Sequence, residues 1–152
     1  MTLDPTGSTI YAAAADSRIH RYSALTLAPP TPLSSSMAEP LTDPRFRVSS
    51  FYIRTSISPC GQWLASGSSG GQVFLWSLDS ASPCDRASAV LDAKWNGEDV
   101  KESAAVDWAC DGMLASCSDD RTVRVWRSDL GRAMKCRDEE APARADWAWA
   151  EM

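Results

Sequence analysis

Leu64-Ala-Ser-Gly-Ser-Ser-Gly-Gly-Gln-Val-Phe-Leu-Trp76 and Leu114-Ala-Ser-Cys-Ser-Asp-Asp-Arg-Thr-Val-Arg-Val-Trp126 are one thirteen-residue pattern written twice. A weaker copy, Ile10-Tyr-Ala-Ala-Ala-Ala-Asp-Ser-Arg-Ile-His-Arg-Tyr22, has the same length and ends on an aromatic at the same place. Self-similarity of this kind marks a repeat architecture, in which each unit buries its apolar faces against its neighbours. Upstream the match continues, with Pro5-Thr-Gly7, Pro59-Cys-Gly61 and the shorter Cys110-Asp-Gly112 standing before the three copies. Proline presets φ and glycine accepts the positive φ that most residues avoid, so these are turns. Each unit therefore reads strand, turn, strand, turn, strand. Ser69-Gly70-Gly71 and Asp119-Asp120-Arg121 supply the second turn, where small or Asx residues are needed.

Alternating apolar and polar residues between these turns predict antiparallel strands near 8–14, 18–23, 46–48, 52–58, 63–68, 72–77, 89–92, 103–109, 113–118 and 122–127. Almost no helix is expected. Phe46-Arg47-Val48 and Ala89-Val90-Leu91 read as the outermost strands of the second and third units.

The units resemble the WD repeat, the blade of β-propellers, up to about Arg127. In that family a turn Asp, a middle-strand Ser or Thr, a third-strand Trp and a loop His share one hydrogen-bonded network. The resemblance places Asp120, Ser116 and Trp126 in three of those positions. The middle copy keeps Ser66 and Trp76 but has Gly70 for the Asp, whereas the first keeps Asp16 but has Ala12 and Tyr22. No copy has the His; His20, the only histidine, lies inside a strand. The fold class expected is all-β, a partial WD-repeat propeller of about two and a half blades from a ring of about seven, open rather than closed. The blades should occupy residues 1–130, with a Pro/Ser-rich insertion at 24–45 as an extended loop and a tail at 131–152. Leu3-Asp4-Pro5 reads as the end of an innermost strand, so the chain is expected to be the C-terminal part of a longer propeller. An independent small β domain is the other possibility.

Several chemistries find no support. No apolar run approaches the 18 or so residues of a membrane span, and a net charge of −5 argues against a nucleic-acid surface. The five cysteines form no Cys-x-x-Cys pair, and with one histidine they make no zinc site, so reduced thiols are expected. Gly67 to Gly71 lacks the Gly-Lys-[Ser/Thr] of a phosphate loop. His20 has no nucleophile elbow near it, and Asp138-Glu139-Glu140 reads as a solvated acidic stretch. No enzyme activity, cofactor or metal is expected.

Ser50-Phe-Tyr-Ile-Arg-Thr-Ser-Ile-Ser-Pro59, Trp63-Leu-Ala-Ser-Gly-Ser-Ser69, Leu3-Asp-Pro-Thr-Gly-Ser-Thr-Ile10, Ala115 to Arg127 and Ala145-Asp-Trp-Ala148 resemble the late blades of denticleless-type proteins. These are substrate receptors of the cullin-RING ubiquitin ligase that acts during DNA replication. The resemblance implies a protein of the nucleus, and also of the cytoplasm, that binds an adaptor and substrate proteins but neither nucleic acid directly nor membrane. Adaptor docking in the family uses Trp-Asp-x-Arg boxes. Here Trp76 precedes Ser77-Leu78 and Trp126 precedes Arg127-Ser128, so the adaptor is expected to bind through upstream blades. Propellers present ligands on the end formed by the second turn and the approach to the inner strand. That end gathers Phe51, Tyr52, Arg54, Ser69, Asp119 and Arg121, of the types that anchor interfaces. A general WD-repeat scaffold with no ubiquitin role is the competing reading.

Overall fold

The structure, a computed structural model, describes residues 1–29, 39–78, 85–92 and 101–127. Ten strands run in chain order: β1 (Thr2–Leu3), β2 (Thr9–Ala14), β3 (Arg18–Ser23), β4 (Thr55–Ile57), β5 (Trp63–Ser66), β6 (Gln72–Ser77), β7 (Ala89–Asp92), β8 (Ser103–Trp108), β9 (Leu114–Ser118) and β10 (Val123–Trp126). They form three antiparallel sheets, ordered β1-β2-β3, β4-β5-β6-β7 and β8-β9-β10. The described residues contain no helix and none of the sheets closes on itself.

The three copies fold in one register. Ile10 pairs with Tyr22, Leu64 with Trp76 and Leu114 with Trp126, while Ala12 faces His20, Ser66 faces Phe74 and Ser116 faces Arg124. Turn chemistry sets that register. At the first turn Gly7, Gly61 and Gly112 have φ of 71°, 74° and 79°, and each donates its N–H to the carbonyl three residues back. At the second turn Ser17, Gly71 and Arg121 hold φ of 61°, 82° and 69°, again closing on the residue three back.

Only the middle copy places glycine at that left-handed position, where other L-residues cost about 1 kcal/mol. Arg121→Gly is therefore expected to raise stability by roughly 0.5–1 kcal/mol, and Gly71→Ala to lower it by about 1 kcal/mol. Thermal melts that ranked the two substitutions the other way would contradict this turn geometry.

Packing follows from alternation across the middle sheet. Leu64, Phe74 and Trp76 join Tyr11, Ile19, Leu41 and Phe46 in one fully or nearly fully buried cluster against the first sheet. Ala65, Val73 and Leu75 point the other way and meet Leu91, Val106, Leu114 and Trp126 against the third. Burying each large apolar side chain contributes about 1.5–3 kcal/mol, so these two seams carry most of the driving force. Trp63 and Trp108 are partly buried against the second cluster; Trp95 lies outside the described residues.

At their shared end the middle and third sheets touch backbone to backbone. Ser103 donates its N–H to the Ser68 carbonyl at 3.0 Å. A Cβ on Gly67 would stand 2.1 Å from the Ser103 carbonyl oxygen, so only glycine fits there.

Two expected strands differ. Residues 46–48 are not a strand: Phe46 turns inward as a fully buried plug, and the Arg47 N–H and carbonyl are both taken by the Ser68 hydroxyl. The outer pairing sits earlier, where Leu41 exchanges two backbone hydrogen bonds with Ile19 of β3. The far end of the expected insertion at 24–45 is thus core, with Leu41 fully buried; its residues 30–38 lie outside the described set. Residues 89–92 do form a strand, but β7 pairs with β6 and completes the middle sheet instead of opening the third. A run that follows β6 finds the free edge of β6 as its nearest partner. The tail at 131–152, with Asp138-Glu139-Glu140 and Ala145 to Ala148, lies outside the described residues, as do Cys84, Cys136 and Gly97-Glu98. Cys60, Cys110 and Cys117 are free and exposed.

Candidate protein-interaction site

The residues expected to share one network fall into two groups in the third copy. Trp126 Nε1 donates to Ser116 Oγ at 2.9 Å in a buried pair. Asp120 does not reach them. Its carboxylate accepts from the Thr122 N–H at 2.9 Å, the Thr122 hydroxyl at 2.6 Å and Arg124 Nη2 at 2.6 Å. Register is consistent with the division, because Arg124 stands opposite Ser116 and its guanidinium is the group that reaches Asp120. With no loop His in any copy, the buried cation beside Asp120 is Arg124, 7% exposed. Burial works against the Asp120 charge, but the hydrogen bonds from Thr122 and Arg124 outweigh it and bring the carboxyl down to about 2.

The first copy repeats this pairing more openly, with Asp16 accepting from the Arg18 N–H at 3.1 Å and contacting His20 Nε2 at 2.8 Å. The middle copy has lost both partners together. Gly70 replaces the Asp, and Phe74 replaces the cation, packing edge-on against Phe46 with ring centroids 5.3 Å apart. There Ser66 donates to the Gly67 carbonyl at 3.0 Å and Trp76 Nε1 donates to the Thr42 carbonyl at 3.3 Å. A side chain able to donate to the carboxylate stands four residues after each turn Asp, His20 in one copy and Arg124 in the other, and was a legible sign of the Asp120–Arg124 pair.

The expected binding residues sit at the end carrying the second turns. Phe51 and Tyr52 are 80% and 60% exposed, their rings 4.1 Å apart. The strand expected from residue 52 begins only at Thr55, which leaves both rings in a turn. Ile53 and Thr55 then point inward and Arg54 outward. Phe51 and Arg54 line a cleft of about 310 Å³ together with Ala13, Ala15, Val48 and Ser50. Ser69 is committed elsewhere, since its hydroxyl accepts from the Ser49 N–H and the Ser49 hydroxyl at 2.9 and 2.7 Å. Asp119 and Arg121 are exposed on the next turn, which is tied to the inner-strand approach by the Asp119 N–H on the Glu102 carbonyl. Phe51, Tyr52 and Arg54 are thus brought together. Such a surface offers aromatic area, one guanidinium and a cleft of mixed polar and apolar lining, the ingredients of a protein-binding patch. Among the described residues no cluster of His, Cys, Asp and Glu is arranged to hold a metal.

Residues 46–77 and 93–127 match the WD domain, G-beta repeat family. The three sheets of antiparallel strands and these two matches make the chain a WD-repeat protein. It is 39% identical over 154 residues to "Cell division cycle protein cdt2" of Schizosaccharomyces pombe, a match covering 97% of this chain and 28% of that protein. It is 32% identical over 154 residues to "Denticleless protein homolog A" of Xenopus laevis, covering 99% of this chain and 19% of the relative. With "Denticleless protein homolog" of Homo sapiens it shares 29% over 133 residues, 86% of this chain and 16% of the other. Within the WD-repeat class it is a denticleless-type chain. It spans 28% of the length of the fission-yeast relative and less of the others named here.

Proposed function

We propose that this chain forms part of the substrate-recognition subunit of a cullin-RING ubiquitin ligase, acting in the nucleus in replication and cell-cycle control. The observation that carries the reading is the similarity to the cdt2 and denticleless proteins over 97–99% of the chain. The open Phe51–Tyr52–Arg54 surface supplies a place for a protein partner. In this role the chain performs no bond chemistry. It raises the effective concentration of a bound substrate near a charged ubiquitin-conjugating enzyme and orients it. Neither Trp76 nor Trp126 opens a Trp-Asp-x-Arg box, so this stretch is assigned substrate contact and not adaptor docking.

In the full-length receptor, Arg54→Ala with Arg121→Ala is expected to weaken substrate capture several-fold and to spare adaptor binding. An Arg can bind a carboxylate through two parallel hydrogen bonds that alanine removes without disturbing either turn. Co-precipitation retaining both partners at parental levels would remove this face from the proposal. Failure to find any cullin-linked partner would favour a general WD-repeat scaffold.

A further inference from the structure

Arg45-Phe-Arg-Val-Ser-Ser-Phe51 combines features that the binding face does not explain. Arg45 and Arg47 stand five and three residues before Ser50, and no other serine or threonine of the sequence has arginine at both positions. Both arginines are exposed, because buried Phe46 between them pins the segment from below. Phe51, directly after Ser50, is exposed, and residues 46–49 belong to no sheet ladder. An acidic substrate groove on a protein kinase reads upstream guanidiniums through charge-assisted hydrogen bonds, and an apolar recess takes the residue after the acceptor. Ser49 and Ser50 differ in availability. The Ser49 hydroxyl donates to Ser69, whereas the hydroxyl of Ser50 accepts from the Tyr52 N–H at 3.1 Å and keeps its own proton uncommitted among the described residues.

We infer that Ser50 is a phosphorylation site for an arginine-directed protein kinase, and that the phosphate is received by Arg54 in the cleft both residues line. In the transfer, Ser50 Oγ attacks the γ-phosphorus of magnesium-bound ATP. The bond from that phosphorus to the β–γ bridging oxygen breaks, ADP leaves with the electron pair, and the hydroxyl proton passes to the kinase's catalytic base. The product places about −1.5 to −2 charges beside the Arg54 guanidinium, in a cleft that the Met1 α-ammonium also lines. If the receptor reading holds, this cancels the positive charge a partner meets and switches capture off; the modification itself does not rest on that reading.

The test uses the intact chain, the catalytic subunit of an arginine-directed kinase and magnesium ATP, with phosphopeptide mapping. One phosphate on Ser50 is expected. Ser50→Ala should lose it, Ser49→Ala should keep it, and Arg47→Ala should lower kcat/KM for phosphorylation at least tenfold with an unchanged thermal melt. Phosphate on another residue, or labelling of the urea-unfolded chain but not the folded one, overturns the site. Phosphorus NMR then reads the second ionisation of the phosphoserine, expected below its ordinary value near 6 and moved back up by Arg54→Ala. An ionisation that Arg54→Ala leaves unmoved overturns the cleft contact. Neither readout involves a partner, so a failed receptor reading leaves both intact.

Discussion

Gly67→Ala should lower the stability of the chain by about 3 kcal/mol or more, a larger effect than a methyl at Gly7, Gly61 or Gly112 would have. The new Cβ would lie 2.1 Å from the Ser103 carbonyl oxygen and 3.0 Å from that of Ala104. These are backbone atoms of a neighbouring sheet, so no side chain can rotate away. The sheets must separate, which breaks the Ser103 to Ser68 hydrogen bond and loosens the second apolar seam around Val106 and Leu114. Against a total stability of roughly 5–15 kcal/mol this is a large share. Gly112→Ala is the control. It has φ of 79° with open space around its would-be Cβ, so only the left-handed backbone cost of about 1 kcal/mol applies. Urea midpoints measure both. Equal losses for the two glycines would mean that the close approach of the sheets carries no weight.

Arg124→Met should cost about 2–3 kcal/mol, because it leaves Asp120 charged with its cation gone. The double substitution Asp120→Ala with Arg124→Met should recover most of that loss, since an ion pair replaced by apolar groups of similar size is often close to neutral. The middle copy is the natural precedent, holding Gly70 and Phe74 at these places. Asp120 has its carboxyl lowered in the folded chain from 3.8 to about 2. Its contribution is therefore complete above pH 3.8 and is lost as pH falls through about 2. Acid should accordingly lower the stability of the parent relative to the double variant across that window, since only the parent has the carboxyl to lose. A gap independent of pH, or a double variant no better than Arg124→Met, would sink the pairing.

Most of the fold was legible because the signals were local. Pro-x-Gly turns and alternating apolar residues placed nine of the ten expected strands within a few residues of their observed bounds, since each hairpin's register is set by its own turn. What escaped was non-local. Phe46 looks like any strand residue until the aromatic rings of Phe74 and Trp76 are seen to require a plug from a distant segment. Sheet membership of β7 depends on which edge is free, a property of assembly and not of the residues 89–92 themselves. At the candidate site, Phe51, Tyr52 and Arg54 were readable as interface types. Ser69 was not separable from them, because its capture by Ser49 joins residues 20 apart in the chain. The Asp120 pairing was misassigned to Ser116 because the family pattern was followed where the recurring nitrogen donor at His20 and Arg124 gave a better guide.

β7 ends at Asp92, one residue before the second matched repeat begins, yet it is hydrogen-bonded to β6 of the repeat before. A module swapped in from a relative should accordingly be joined after Asp92. A splice made just after Ser77, where the repeat pattern ends to the eye, would carry in one sheet without its rim and leave the recipient with a surplus strand. The same offset makes neighbouring sheets interdependent in the manner of overlapping shingles, so melting is expected to spread from one to the next instead of stopping at a repeat boundary.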